Sequence, residues 1–207
     1  LDTEWIRSRS QETINPASAW HNHPAKYKLL TVGRLAWQKA YDIAIPTLRI
    51  LRDQGIDAAW FILGEGPEKK KLRRLIQENG LEDHFILLGG SSNPYPYYRE
   101  ADLYIHATRY EGKSIAIEEA QILGKAIIAS DCTGNREQII HQKNGLLIPL
   151  IPEQIADSIR GLLLHPEKRL QFEQESLQTD LSHPEDFPAL LELTNSSTKN
   201  AYQCMQK

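Results

Sequence analysis

Sulfur is scarce in this chain. Its only cysteines, Cys132 and Cys204, lie far apart without CxxC spacing. Neither a disulfide scaffold nor a cysteine zinc site is expected, and a reducing compartment is the default. The sole methionine is Met205 and the first residue is Leu1, so the expectation is a piece of a longer protein or a processed product. An excess of positive charge is also missing: 24 Lys and Arg face 27 Asp and Glu, for a net charge of −3. That excludes a domain-wide basic field for nucleic acid while leaving room for a local basic pocket. No apolar run approaches the roughly 20 residues that cross a bilayer, and no charged start leads into an apolar stretch. The expectation is a cytoplasmic protein, whose only membrane contact would be peripheral, at the inner face. Finally, Asp-x-Asp is absent, so a metal clamp has no obvious ligands and no metal or cofactor is expected.

With 41% hydrophobic and 25% charged residues among 207, the chain can build one ordinary globular core. Short apolar runs at Lys28–Val32, Ala58–Leu63, Phe85–Leu88, Leu103–Ala107, Ala126–Ala129 and Leu146–Pro149 read as strands. Between them lie helical patterns at Ile43–Arg52, Glu68–Glu78, Pro96–Ala101, Ser114–Leu123 and Asn135–His141. Continuous apolar strands that alternate with helices predict an α/β fold, a Rossmann-like doubly wound parallel sheet of about six strands. The expected division is residues 1–24 as a helix near Thr3–Gln11 with a linker, 25–180 as the Rossmann-like domain, and 181–207 as a loosely held tail. Helices at Glu153–Leu164 and Glu167–Leu177 close the domain.

In open parallel sheets, ligands sit beyond the carboxyl ends of the strands. The loop after the first run, Gly33-Arg34-Leu35-Ala36-Trp37-Gln38-Lys39, places two cations there. Arg brings a planar fork and Lys a compact charge, and both suit phosphate oxygens. The plain alternative is a pair of solvated surface charges. The loop after the fourth run, His106 to Ser114, holds Glu111, and Glu119 follows in the next helix. Ser114 as N-cap would aim the amides of Lys113, Ser114 and Ile115 out of that helix, with carboxylates nearby to accept hydroxyl hydrogens. Alternatively, acids in a first helical turn only favour the dipole, which is how Glu118 is read. His106 has packing or solvation as its plain reading and a sugar contact as its sharper one. The basic face of Lys69–Lys71, Arg73 and Arg74 reads as solvated, with an anionic membrane surface as the alternative. Gly64-Glu65-Gly66-Pro67 reads as a turn with Pro at the first helical position.

Taken in order, GRLxxxK (Gly33–Lys39), GEGPxxxxL (Gly64–Leu72), ADLYI (Ala101–Ile105), Glu111-x7-Glu119 followed by Ala120, the Gly124–Ile128 strand and NGLL (Asn144–Leu147) resemble one family. It is the C-terminal half of a family 4 retaining glycosyltransferase of the GT-B type, and the resemblance covers about Leu29 to Leu163. Two positions depart from the family pattern: Lys39-Ala40 stands where Lys-Gly is usual, and Lys113-Ser114 where an aromatic-Gly pair is common. Asn93-Pro94-Tyr95-Pro96-Tyr97 resembles members that build bacterial capsule or O-antigen polysaccharide.

The resemblance implies one half of a GT-B fold that binds a nucleotide sugar, UDP-linked by family weight, while a separate N-terminal domain holds the acceptor. It casts Arg34 and Lys39 as diphosphate ligands, Glu119 as the ribose ligand and Glu111 as the sugar-hydroxyl ligand. Gly33, Gly112, Lys113, Ser114 and Ile115 would border the donor, and backbone near Gly89 and Gly90 would read the base. Glu111, Arg34 and Lys39 are the residues expected to bear on catalysis. Partners are then the nucleotide sugar and the acceptor domain, not nucleic acid. A sugar-nucleotide epimerase half and a non-catalytic module remain the alternative readings.

Overall fold

The structure, a computed structural model, describes residues 1–179; the tail 181–207, including Cys204, lies outside the described residues. Six parallel strands form one sheet: β1 (Tyr27–Val32), β2 (Ala58–Leu63), β3 (Phe85–Gly89), β4 (Leu103–His106), β5 (Ile127–Ser130) and β6 (Leu146–Ile148). Their order across the sheet is β3-β2-β1-β4-β5-β6, the doubly wound arrangement in which the winding reverses between β1 and β4. The helices are α1 (Thr3–Ser10), α2 (Ala19–Asn22), α3 (Tyr41–Asp53), α4 (Lys69–Glu78), α5 (Tyr95–Glu100), α6 (Ile115–Ile122), α7 (Thr133–Gln138), α8 (Pro152–Leu164) and α9 (Pro166–Leu177). Proline opens α8 and α9, where its missing N–H costs nothing. Pro67 does not play that part in α4, because Glu68 is the N-cap and Pro67 precedes it.

The two-residue period of a strand sorts its side chains into two layers. Leu29, Trp60, Leu103, Ile105 and Ile128 face one core with α3, α4 and α8. Leu30, Phe61, Tyr104, Ile127 and Ala129 face the other, with α1, α5 and α6. Every residue of β2 is buried, which is why its run reads AAWFIL without alternation.

Residues 1–24 are part of this second layer. Ile6, Ile14 and Trp20 are buried in it, and the Trp20 indole donates to Glu100 Oε2 at 2.9 Å. The expected helix is present as α1, but the expected linker contributes core side chains of its own. The α4 basic face is largely neutralised in place: Lys69 pairs with Glu65, Lys71 with Glu68 and Arg74 with Glu78.

Candidate functional site at the β1–β4 switch

Two loops leave the sheet side by side at its reversal point, and backbone packing fixes the first of them. A Cβ on Gly64 would overlap the Gly33 carbonyl, and one on Gly66 would overlap Leu35. Leu35 N–H donates to Glu65 O at 3.0 Å, and Glu68 N–H to Leu35 O at 3.0 Å. The GEGP turn is therefore a bed for the GRL loop, a role the glycines perform by lacking side chains. Gly33 itself makes room for Lys39 and Tyr41: a Cβ there would meet Lys39 Cε and Tyr41 Oη, each at 3.4 Å. The loop then makes a 3-10 turn over Trp37–Lys39 and enters α3 through Ala40, in the left-handed region at φ 47°. The resemblance leads one to expect glycine at this position, and the methyl of Ala40 is fully buried.

The second loop is tied to the first at several points. The Arg109 guanidinium grips Asp42 with its two terminal nitrogens, Nη1 at 3.0 Å and Nη2 at 2.7 Å, and Nη1 also donates to Trp37 O at 2.6 Å. Arg109 N–H and Thr108 Oγ1 both donate to Gln38 O, and Gln38 Nε2 returns a bond to Tyr110 O at 2.9 Å. From below, Gly134 lies so close that a Cβ would overlap the carbonyl oxygens of Gly112 and Glu111. Glu111 is thus carried on a backbone fixed from two sides.

Lys39 and Glu111 close an ion pair across the switch point. His106 Nε2 lies 3.1 Å from Glu111 Oε2 on the same carboxylate. Burial alone would push this carboxyl up; His106 and Lys39 outweigh it and hold it down at about 2. Arg34 stands on the same loop, exposed, and its side chain meets no ion-pair partner among the described residues. Among the described residues, the structure therefore offers one paired and one free cation at the carboxyl edge of β1.

The α6 end is partly occupied. Ser114 is its N-cap, but the Ser114 N–H donates to Gln138 Oε1 at 2.7 Å and the Ser114 carbonyl accepts from Gln138 Nε2 at 2.9 Å. Of the three amides expected to face a ligand, Ser114's is taken by this side chain. The first intrahelical bond is Glu118 N–H to Ser114 O, so the amides from Ile115 onward in the first turn are unbound within the helix. Lys113 pairs with Glu118 at 3.0 Å, so Glu118 does more than favour the dipole. Gly112 is exposed with open space around it.

Glu119 is half-buried on α6 and accepts from Tyr98 Oη at 3.2 Å. Burial raises its carboxyl above the ordinary range, against the opposing pull of the Tyr95 and Tyr98 hydroxyls. At the end of β3, Gly89 adopts φ 86° beside Glu65, whose Oε1 would lie 3.0 Å from a Cβ there, and Gly90 follows it, exposed.

His106 is 1% exposed. Its Nε2 lies 3.1 Å from Glu111 Oε2, so what the structure shows of it is the packed role. Arg109, Asp42, Gln38, Gln138 and Gly134 are the structural members of the site that motif reading passed over. Among the described residues, no three His, Cys, Asp or Glu side chains converge as metal ligands, and no helix is long and apolar enough to span a membrane.

Comparison with known proteins matches the fold and the family. The structure of Anabaena HepE solved with UDP superposes with a TM-score of 0.75 at 21% identity, over 86% of this chain and 50% of that one. The C-terminal domain of the group 1 glycosyl transferase LpcC from Francisella tularensis superposes with a TM-score of 0.71 at 25% identity, over 86% of this chain and 95% of that one. In sequence, the UDP-N-acetylglucosamine–peptide N-acetylglucosaminyltransferase GtfA subunit of Streptococcus gordonii is 31% identical over 157 residues, 75% of this chain and 30% of that protein. The chain spans about a third of the length of the curated relatives it matches. The family model described as glycosyl transferases group 1 covers residues 17–179, nearly the whole of the sheet and its helices, and the chain belongs to that family.

Proposed function

We propose that this chain is the donor-binding half of a retaining glycosyltransferase. It takes a nucleoside diphosphate sugar, UDP-linked by preference, for transfer to a glycan or lipid-linked acceptor held by a separate N-terminal domain. The observation that carries this reading is the Lys39–Glu111 pair spanning the β1–β4 reversal, with Arg34 beside it and free of ion pairs among the described residues. A diphosphate arriving there finds Arg34 unoccupied and draws Lys39 away from Glu111. That exchange leaves Glu111 Oε2 with His106 alone, and Oε1, approached among the described residues only by Gln38 Nε2 at 3.4 Å, accepts hydroxyl hydrogens of the donor sugar. Glu119 receives the ribose hydroxyls, and backbone from Leu88 to Ser91 reads the base.

As the glycosidic bond breaks, its electron pair goes to the departing diphosphate. Fixed cations and the first amides of α6 stabilise that growing charge more than the ground state, each such donor being worth on the order of 3 to 4 kcal/mol. On this reading Arg34 and Lys39 supply the positive charge that a metal supplies elsewhere, in keeping with the missing Asp-x-Asp. UDP as the nucleotide is supported by HepE, solved with UDP, and by the name of the Streptococcus gordonii relative. A place in bacterial surface polysaccharide synthesis, at the inner membrane face, is supported by the Asn93–Tyr97 stretch. The 207-residue chain by itself is expected to bind donor and transfer nothing, because on this reading the acceptor is held by a separate N-terminal domain.

Titration calorimetry of the 207-residue chain with UDP, GDP and ADP sugars tests the proposal. Binding should be seen with the wild type and be lost in the Arg34→Ala/Lys39→Ala double variant. A correctly folded wild-type chain that binds none of them removes the proposal.

A further inference from the structure

Behind Glu111 runs a buried row of polar side chains that the transfer chemistry leaves unused. Both ring nitrogens of His106 are engaged: Nε2 lies 3.1 Å from Glu111 Oε2, and Nδ1 lies 3.1 Å from Tyr104 Oη. Tyr104 is fully buried and packs on Tyr98 with ring centroids 5.0 Å apart. Tyr98 Oη in turn lies 3.2 Å from Glu119 Oε2. The row therefore joins the two acids of the Glu-x7-Glu pattern through the interior.

The protons in this row follow by elimination. Glu111 is ionised and can only accept, so Nε2 of His106 carries the hydrogen. Burial keeps the imidazole neutral at ordinary pH, so Nδ1 is bare and accepts the Tyr104 hydroxyl hydrogen.

Among the described residues, Lys39 and His106 are the two close partners of Glu111; Gln38 Nε2, at 3.4 Å, is too long to hold it firmly. When a diphosphate draws Lys39 away, only His106 remains, and no ligand competes for it because it is buried. We propose that His106, held by Tyr104, is a positioning residue that keeps the Glu111 carboxylate aimed at the donor sugar once Lys39 has turned to the diphosphate. The inference rests on the donor-binding reading above.

Calorimetry with UDP and a panel of UDP sugars on the 207-residue chain separates the two. The wild type should bind its preferred UDP sugar more tightly than UDP. In His106→Leu that sugar-dependent gain should fall about tenfold, as expected for one hydrogen bond to a charge, while affinity for UDP itself stays. His106→Gln, which can donate to Glu111 and accept from Tyr104, should recover most of the gain. A Leu variant that keeps the gain, or a Gln variant that loses it as fully as Leu, overturns the inference and leaves the wild-type UDP affinity standing. A wild type without UDP affinity fails the donor-binding reading and takes the inference with it. Should His106→Leu not fold, nitrogen-15 NMR of the wild type decides: the Nε2–H tautomer is expected, and an Nδ1–H tautomer overturns the assignment.

Discussion

Gly134, on α7, lies directly beneath the Glu111–Gly112 peptide, so close that a methyl group on it would overlap both carbonyl oxygens. Both obstacles are backbone, so neither can swing aside. Gly134→Ala must push the Glu111 loop out of place, and overpacking of this kind costs about 1–3 kcal/mol. Gly112→Ala meets open space and should leave stability nearly unchanged. Urea unfolding midpoints compare the two; equal midpoints would show that the close approach is not a constraint on the fold.

Ala40 is a second test of backbone geometry. Its left-handed conformation costs roughly 1–2 kcal/mol for a residue with a Cβ, which Ala40→Gly removes. Against that, glycine loosens the unfolded chain by about 0.4–1 kcal/mol, and the lost buried methyl is worth about 0.8 kcal/mol. These nearly cancel, so Ala40→Gly should fall within about 1 kcal/mol of the wild type. Ala40→Val, β-branched and buried at positive φ, should unfold at clearly lower denaturant. This near-balance lets alanine stand at position 40, where the resemblance leads one to expect glycine.

The Glu111 carboxyl is held at about 2, below the ordinary value of 4.5. Its folded pKa is depressed, so the native state gains stability from this ionisation above about pH 4.5 and loses it as pH falls toward 2. In Lys39→Met one of the two opposing partners is gone, the Glu111 titration should move up toward the ordinary range, and this acid-labile part of the stability should shrink. Carboxyl carbon NMR across pH 2–6 reads the group directly. An ordinary titration in the wild type would mean that the ion pair is not formed in solution.

Much of this site could be seen in the chain before any coordinates, and what could not shares a physical cause. Strand runs such as AAWFIL are legible because a strand covered on both faces must be apolar throughout, and Gly33–Lys39 and His106–Gly112 stand out because they follow such runs. The spacing of Glu111 and Glu119 marks them as a pair, but their connection through Tyr98, Tyr104 and His106 depends on which side chains of β4 turn to the α5 side. Gly64 and Gly66 look like turn residues, since no local pattern reveals the carbonyl of another loop pressed against them. Ile14 and Trp20 are isolated apolar residues in a polar stretch, without the periodicity that marks a core segment. Gln138 reaches the Ser114 amide from a different helix, a bond that sequence distance conceals.

Glu119 is expected to behave oppositely to Glu111. Its folded pKa is raised, with burial the leading cause and the Tyr95 and Tyr98 hydroxyls only partly offsetting it. A raised carboxyl costs stability wherever the group must be ionised, that is, above its folded pKa, and the cost disappears as pH falls below the unfolded value. Glu119→Gln removes the charge while keeping shape and an oxygen that can accept from Tyr98, so it should raise the thermal midpoint at pH 7. The same change removes an acceptor for ribose hydroxyls and should weaken UDP binding by about tenfold, one hydrogen bond to a charged group. Thermal melts and calorimetry on this one variant check both signs. A chain that becomes more stable while binding UDP less well would show that the carboxylate is kept for its ligand at the expense of the fold, whereas a loss of stability would mean that the ionised acid is a structural partner of the two tyrosines.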